Sequence, residues 1–131
     1  MTELKISTHE KRQLVDITSQ ISKYVPDKGS GVVHLFVQHT TCAVTTIDSD
    51  PGIDLDLFDF LSGITPDKQW RHPHNPAHAP AHLLSSIIGP DVTIPFAGGQ
   101  LLLGTWQRIV LVELDGPRDR NLIVSVQSKS I

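Results

Sequence analysis

A single cysteine, Cys42, stands among 131 residues, so an internal disulfide and a cysteine-based zinc cage are both excluded. Its default role is that of a small buried apolar side chain. No run of like charges occurs and the formal net charge is −3 with histidine neutral. The electrostatic footprint of a nucleic-acid or anionic-membrane binder is therefore missing. No apolar stretch approaches the ~20 residues of a membrane span, and Met1-Thr2-Glu3-Leu4-Lys5 lacks the apolar core of a signal peptide. The cytoplasm is the expected compartment. Also absent are a Walker-type glycine loop, a Rossmann fingerprint, a His-Glu-x-x-His helix and a Gly-x-Ser-x-Gly elbow. Common nucleotide and hydrolase templates thus do not apply. No internal repeat or low-complexity linker divides the chain, and 39% apolar with 19% charged residues describes one ordinary globular domain with its own core.

What the sequence does have is histidine. Of seven, four fall between His72 and His82, a stretch in which Pro73, Pro76 and Pro80 forbid a continuous helix. Imidazole is the commonest ligand of divalent transition metals and the one side chain that ordinarily titrates near neutrality, so this loop is a candidate metal or acid–base site. Solvated surface is the competing reading.

Strand-like and helix-like stretches alternate. Residues 12–17 and 31–39 carry β-branched and apolar residues at period two, whereas residues 18–25 place Ile21, Tyr24 and Val25 at helical spacing. After the turn signal Asp48-Ser49-Asp50-Pro51-Gly52, a second helix is expected over residues 53–61, with Ile53, Leu57, Phe58 and Leu61 on one stripe and Asp54 and Asp56 in its first turn. A third is expected from Pro80, stopped by Gly89-Pro90. Residues 92–95, 100–104, 107–115 and 121–127 read as short strands, joined by Gly98-Gly99 and Gly116-Pro117 as hairpins of an antiparallel sheet. The class is α+β: one domain, mostly antiparallel sheet, with about three short helices.

On the strand 31–39, alternation puts Val33, Leu35, Val37 and His39 on one face and His34 on the other. His39 ends the more apolar face and is followed by Thr40-Thr41-Cys42, suited to hydrogen bonding a ligand. His34 reads as structural or half-exposed. His82 falls at the opening of the third helix, where free N–H groups and the dipole attract anions, although such residues are commonly plain caps. Glu113 is the one charge on an apolar strand face with Gln107, Ile109 and Leu111; it is either solvent-facing at a sheet edge or an orienting partner for a histidine. Arg118 and Arg120, after Gly116-Pro117, either clamp an anion or are simply solvated.

These landmarks assemble into a recognisable whole. His39-Thr40-Thr41-Cys42-Ala43-Val44-Thr45-Thr46-Ile47, Asp50-Pro51-Gly52-Ile53 with Asp56, Trp70-Arg71-His72, the run from Ala81 to Pro90, and Gly104-Thr105-Trp106-Gln107 with Glu113 closely resemble the YjbQ-like family, over residues 7–127. The resemblance implies a small cytoplasmic α+β protein that forms homotrimers and carries a weak thiamine-phosphate synthase activity. An apolar surface larger than three short helices can cover is a further reason to expect a trimer. The resemblance also implies that His39, His72 and His82 form a facial metal or catalytic cluster. Two departures stand out. Asp48-Ser49 replaces the family's Asn-Glu before the Asp-Pro turn, and His78-Ala79-Pro80-Ala81-His82 replaces Asn-Ala-Asp-Ala-His, so that His74 and His78 read as local variants.

Three functions compete. The first is an enzyme acting on small phosphorylated metabolites, as a synthase-like transferase or a phosphoester hydrolase. In it, a divalent metal, zinc above all, is held by His39, His72 and His82; an oxyanion docks beside it at the start of the third helix. Glu113 and Arg118 are assigned to catalysis, and Thr40, Thr41, Gln107 and Arg120 to substrate binding. The second is a non-catalytic metal- or anion-binding module; the third is a structural trimer whose histidines cap a subunit interface.

Overall fold

The computed structural model describes residues 1–129. In chain order the elements are β1 (Thr2–Ser7), β2 (Gln13–Asp16), α1 (Thr18–Ser22), β3 (Ser30–Val37), β4 (Cys42–Asp48) and α2 (Ile53–Gly63). A 3-10 turn (Pro76–His78) leads directly into α3 (Ala79–Ile88), followed by β5 (Asp91–Ala97), β6 (Gln100–Leu101), β7 (Gln107–Glu113) and β8 (Asp119–Ser128). The α+β class, the antiparallel pairing and the three helices agree with the sequence reading. Strands β1 and β4 were not anticipated there.

Two antiparallel sheets form. One has five strands in the order β1-β8-β3-β5-β6 and the other three, in the order β2-β7-β4. Period-two burial on β3 sends Val33, Leu35 and Val37 into the space between the sheets, where they meet Ile94 and Phe96 of β5, Leu122 and Val124 of β8, and Ile109 and Leu111 of β7. His34 and Phe36 fall on the opposite face, as alternation requires, and His34 pairs there with Asp91 at 2.9 Å. Strand β7 is buried on both faces. Its other side, Val110 and Val112, joins Ala43, Leu61 and Leu84 in a second apolar cluster under α2 and α3. The layers are therefore sheet, sheet, helices, and removing one of these fully buried aliphatic side chains costs about 2–5 kcal/mol.

The Gly98-Gly99 turn closes a β5–β6 hairpin with both glycines at positive φ, +57° and +80°, the backbone twist that favours glycine in a two-residue connection. Gly116-Pro117 does something else. It carries the chain from β7 in one sheet to β8 in the other, so the expected hairpin there is a crossover between layers. No helix among the described residues is long and apolar enough to cross a membrane.

Candidate anion-binding cleft

Where β3 ends at Val37, the chain must leave the five-stranded sheet to enter β4 of the other, and the 38–41 loop bridges the gap. Two buried side chains hold that loop from below. Glu113, at the end of central strand β7, faces Gln13 of β2 on one side and Cys42 of β4 on the other, and its carboxylate is wholly inaccessible to solvent. Arg120, 1% exposed at the start of β8, donates to Glu113 through Nε at 2.9 Å and through Nη2. The same Nη2 donates to the Thr41 carbonyl at 3.1 Å and to Thr41 Oγ1 at 2.9 Å. Thr8 Oγ1 at 2.6 Å and the N–H groups of Leu114 and Asp115 at 3.0 and 3.1 Å complete the ring of donors around Glu113.

Burial pushes the Glu113 carboxyl upward, but the hydrogen bonds from Arg120, Thr8 and Asp115 outweigh it and hold the group below the usual glutamate range. Burial acts against the Arg120 charge in the same way, and the Glu113 carboxylate overcomes it. Both remain ionised. Glu113 is thus neither a solvent-facing edge carboxylate nor a histidine's partner, and with both oxygens committed to donors it is not poised for acid–base chemistry. Arg120 and Thr41 are likewise reassigned: they brace the floor of a site, and their polar groups are spent on one another.

Above that floor lies a cleft of about 340 Å³, walled by His39 and Thr40 of the loop, His78 and His82 from the start of the third helix, and Asp115 and Arg118 of the β7–β8 crossover. The Asn121 N–H donates to His39 Nε2 at 2.8 Å. Burial first, then the neighbouring Arg120 guanidinium, lowers the pKa of His39 below the usual value. The ring is therefore neutral near pH 7 and carries its proton on Nδ1. His82 has the same tautomer but engages the other nitrogen. Its Nδ1 lies 3.1 Å from the Thr40 carbonyl, which can only accept, so Nδ1 is protonated and, in the neutral ring, Nε2 keeps the lone pair. Both imidazoles line the cleft, and the nitrogens left over are a donor on His39 and an acceptor on neutral His82. Arg118 is tethered at the rim by Nε to the Asp115 carbonyl at 2.9 Å and by Nη2 to Asp115 Oδ2 at 3.0 Å. His78 Nε2 lies 3.9 Å from the same Asp115 oxygen.

Of the three histidines assigned to a metal, the structure brings His39 and His82 to one cleft and stacks His72 on His82, centroids 5.0 Å apart at 11°. His72 does not line the cleft, and its Nδ1 accepts the Asn75 N–H at 3.2 Å. Among the described residues, no three His, Cys, Asp or Glu side chains are placed to hold one metal ion. The reason is local: the lone pairs of His39 and His72 already accept backbone N–H groups, leaving only His82 with a bare nitrogen. The facial cluster of His39, His72 and His82 is therefore not assembled within the chain.

The helix start also differs from expectation. Asn75 Oδ1 accepts the Ala77 N–H at 3.0 Å and the 3-10 turn feeds α3 directly, while Pro76 and Pro80 have no N–H to offer. Fewer free N–H groups are therefore left at this helix start than the sequence reading expects. Gln107 sits at the far end of β7, about 20 Å along the strand from Glu113 at ~3.3 Å per residue. There it donates to Thr46 Oγ1 at 2.9 Å and accepts the Gly104 N–H at 3.0 Å, away from the cleft. Sequence reasoning passed over Asp115 and ranked His78 low. The usable signal for both was position, since Asp115 falls in the same turn as Arg118 and His78 lies one helical turn before His82.

The model of a family described as UPF0047 protein YjbQ-like matches residues 2–129. A UPF0047 protein of Archaeoglobus fulgidus is 36% identical over 123 residues, covering 93% of this chain and 97% of that protein. One of Mycobacterium tuberculosis is 42% identical over 112 residues, covering 82% of this chain and 87% of its own length. Among solved structures, a hypothetical protein of Aeropyrum pernix superposes with a TM-score of 0.88 at 33% identity, covering 98% of both chains. A YjbQ/UPF0047 family protein of Clostridium acetobutylicum gives 0.87 at 32% identity, covering 97% of this chain and 100% of the other.

Proposed function

The chain belongs to the YjbQ-like UPF0047 family, and from the chemistry of its cleft we propose that it is a cytoplasmic protein that binds the phosphate of a small phosphorylated metabolite and uses His82 for acid–base chemistry on it. The observation that carries this reading is that His39 and His82, both protonated on Nδ1, are engaged through opposite nitrogens. His39 is left with Nδ1–H and neutral His82 with a bare Nε2, and both rings line a cleft that Arg118 and Thr40 also line. A phosphate oxygen accepts from Arg118, Thr40 and His39, while His82 Nε2 takes a proton from an attacking water or hydroxyl. Transferase chemistry of the thiamine-phosphate synthase kind and phosphoester hydrolysis both use these parts.

The experiment is calorimetric titration with inorganic phosphate, joined to a turnover screen of phosphomonoesters and of thiamine-phosphate synthesis. Binding that weakens about tenfold or more in Arg118→Ala, the loss of one charge-assisted hydrogen bond, with turnover abolished in His82→Asn, supports the reading. Binding without any turnover reduces it to a non-catalytic anion module. Parental binding in Arg118→Ala overturns it.

A divalent metal, zinc above all, is a second reading, favoured by one observation: donation of His82 Nδ1–H to a backbone carbonyl is the usual way a metal-binding imidazole is oriented. Metal analysis of protein purified without a histidine tag tests it, because zinc near one per chain in the parent and absent from His82→Ala is expected. A homotrimer is part of the same proposal. Ile87 on α3, Leu55 and Phe60 on α2 and Ile64 just past the end of α2 are 72, 67, 66 and 52% exposed, and apolar side chains so bare favour a protein partner. Sedimentation at a mass near 14 kDa at micromolar concentration would rule out the trimer.

A further inference from the structure

A carboxylate is an unexpected lining for a cleft that takes an anion. Asp115 is only 7% exposed, yet it borders the same hollow as Arg118, Thr40 and His82. Its backbone is held on both sides: the N–H donates to Glu113 Oε2 at 3.1 Å and the carbonyl accepts from Arg118 Nε at 2.9 Å. The side chain therefore projects from a fixed base.

Its contacts are one-sided. Arg118 Nη2 lies 3.0 Å from Oδ2, and the other close group, His78 Nε2, lies 3.9 Å from the same oxygen. His78 has no proton to give there. Asn75 Oδ1 accepts the Ala77 N–H at 3.0 Å, which orients the amide so that Asn75 Nδ2, 3.3 Å from His78 Nε2, is the donor and that ring nitrogen carries the lone pair. Among the described residues, Asp115 Oδ1 has no donor at all. None of their fully buried side-chain oxygens lacks a partner, so Oδ1 reaches solvent.

The fixed charges around the cleft cancel, Arg118 being matched by Asp115 and Arg120 by Glu113. An anion drawn to Arg118 and Thr40 thus meets no excess of positive charge. A carboxylate oxygen that faces the bare oxygen of an anion sets two acceptors against each other, whereas an anion that keeps one O–H donates to it in a short charge-assisted bond. Resting on the anion-binding reading, we propose that Asp115 Oδ1 is the specificity-determining acceptor of the cleft: it selects the protonated, singly charged form of a phosphomonoester, through its P–OH, over oxyanions that carry no proton. Sulfate esters and phosphodiesters are the classes it rejects.

The test uses two monoanions of nearly equal size. At pH 5.5, below the second phosphate pKa of about 6, methyl phosphate is mainly a monoanion with one P–OH, and methyl sulfate is a monoanion with none. Protonation of a cleft histidine acts on both alike, so the ratio of their affinities, read by calorimetric or NMR titration, isolates the P–OH. Methyl phosphate is expected to bind more tightly by about tenfold or more, the effect of one charge-assisted hydrogen bond. Raising the pH to 7.5 should lower that ratio by about tenfold, in step with loss of the P–OH. In Asp115→Asn the amide oxygen can keep the Arg118 bond while the NH2 group takes the place of Oδ1, so a donor replaces the acceptor and the ratio at pH 5.5 should fall close to one. The pH series needs no variant, which guards against a misfolded Asp115→Asn. A parental ratio near one at pH 5.5, a ratio that holds or rises at pH 7.5, or a preference that survives Asp115→Asn overturns selection by Asp115 while leaving the anion reading intact. Failure of both probes to bind at either pH overturns that reading as well.

Discussion

Across 42 residues of sequence, the imidazole of His82 donates from Nδ1 to the carbonyl of Thr40 at 3.1 Å. The neighbouring Thr41 is gripped by Arg120, which is itself fixed by Glu113. The ring that presents a bare nitrogen to the cleft is therefore held in its tautomer by a buried ion pair on two other strands. The hydrogen-bonding pattern at the surface depends here on charge in the interior.

Replacing one partner of that pair should damage stability first. Glu113→Gln leaves the Arg120 guanidinium buried without its counter-charge, a change that costs about 3–5 kcal/mol. Urea denaturation should show that loss even if no ligand is present. Thr8→Val, which removes one donor to Glu113, should cost only about 1 kcal/mol. An unchanged denaturation midpoint in Glu113→Gln would contradict the structure.

Acid should weaken the fold in two stages. His39 has its pKa lowered by burial and then by Arg120, so below about pH 6.5 the unfolded chain takes up a proton there before the folded one does. Stability falls with pH in that range. Glu113 and Asp16 are also depressed, hydrogen bonds from Arg120 and Arg108 outweighing the opposing effect of burial. Their contribution is complete above about pH 4.3 and is lost as pH drops toward their folded values. Denaturation curves at pH 7.5, 5.5 and 4 check the order, and His39→Gln, whose amide can still accept the Asn121 N–H, should flatten the upper stage alone.

Burial pushes the Cys42 thiol up to about 12. Thiolate is the reacting species, so the native protein should resist Ellman's reagent at pH 8 while the denatured chain releases one equivalent. Rapid labelling of the folded protein would show that β4 opens readily.

Gly116 is confined by its neighbours. A Cβ there would lie 2.2 Å from the Glu10 carbonyl oxygen and 2.8 Å from Glu113 Cγ. Gly116→Ala should therefore cost about 1–3 kcal/mol through overpacking. It should also weaken phosphate binding, because the same crossover presents Arg118 to the cleft. Thermal unfolding and the calorimetric titration read the two effects separately.

Local signals were enough for the parts of this protein whose conformation is settled by near neighbours. Period-two alternation on β3 fixed which of His34 and His39 faces the core side, paired glycines fixed the β5–β6 turn, and proline and glycine bracketed α3. Strand β4 escaped because its motif, starting at Cys42, read as a ligand loop when it is a strand edge on β7. Family resemblance pointed to His39 and His82, and the tertiary structure supplied what connects them: the Thr40 carbonyl, the Asn121 N–H and the Arg120 brace. Glu113 shows the limit most clearly. Alternation places it on the face of Ile109 and Leu111, but whether that face meets water or a second sheet depends on β2 and β4 pairing on either side of β7. Its counter-charge, seven residues away, reaches it only because the chain crosses between layers at Gly116-Pro117. Charge placement and tautomer are set by groups far apart in sequence, and only the packed fold brings those groups within hydrogen-bond distance.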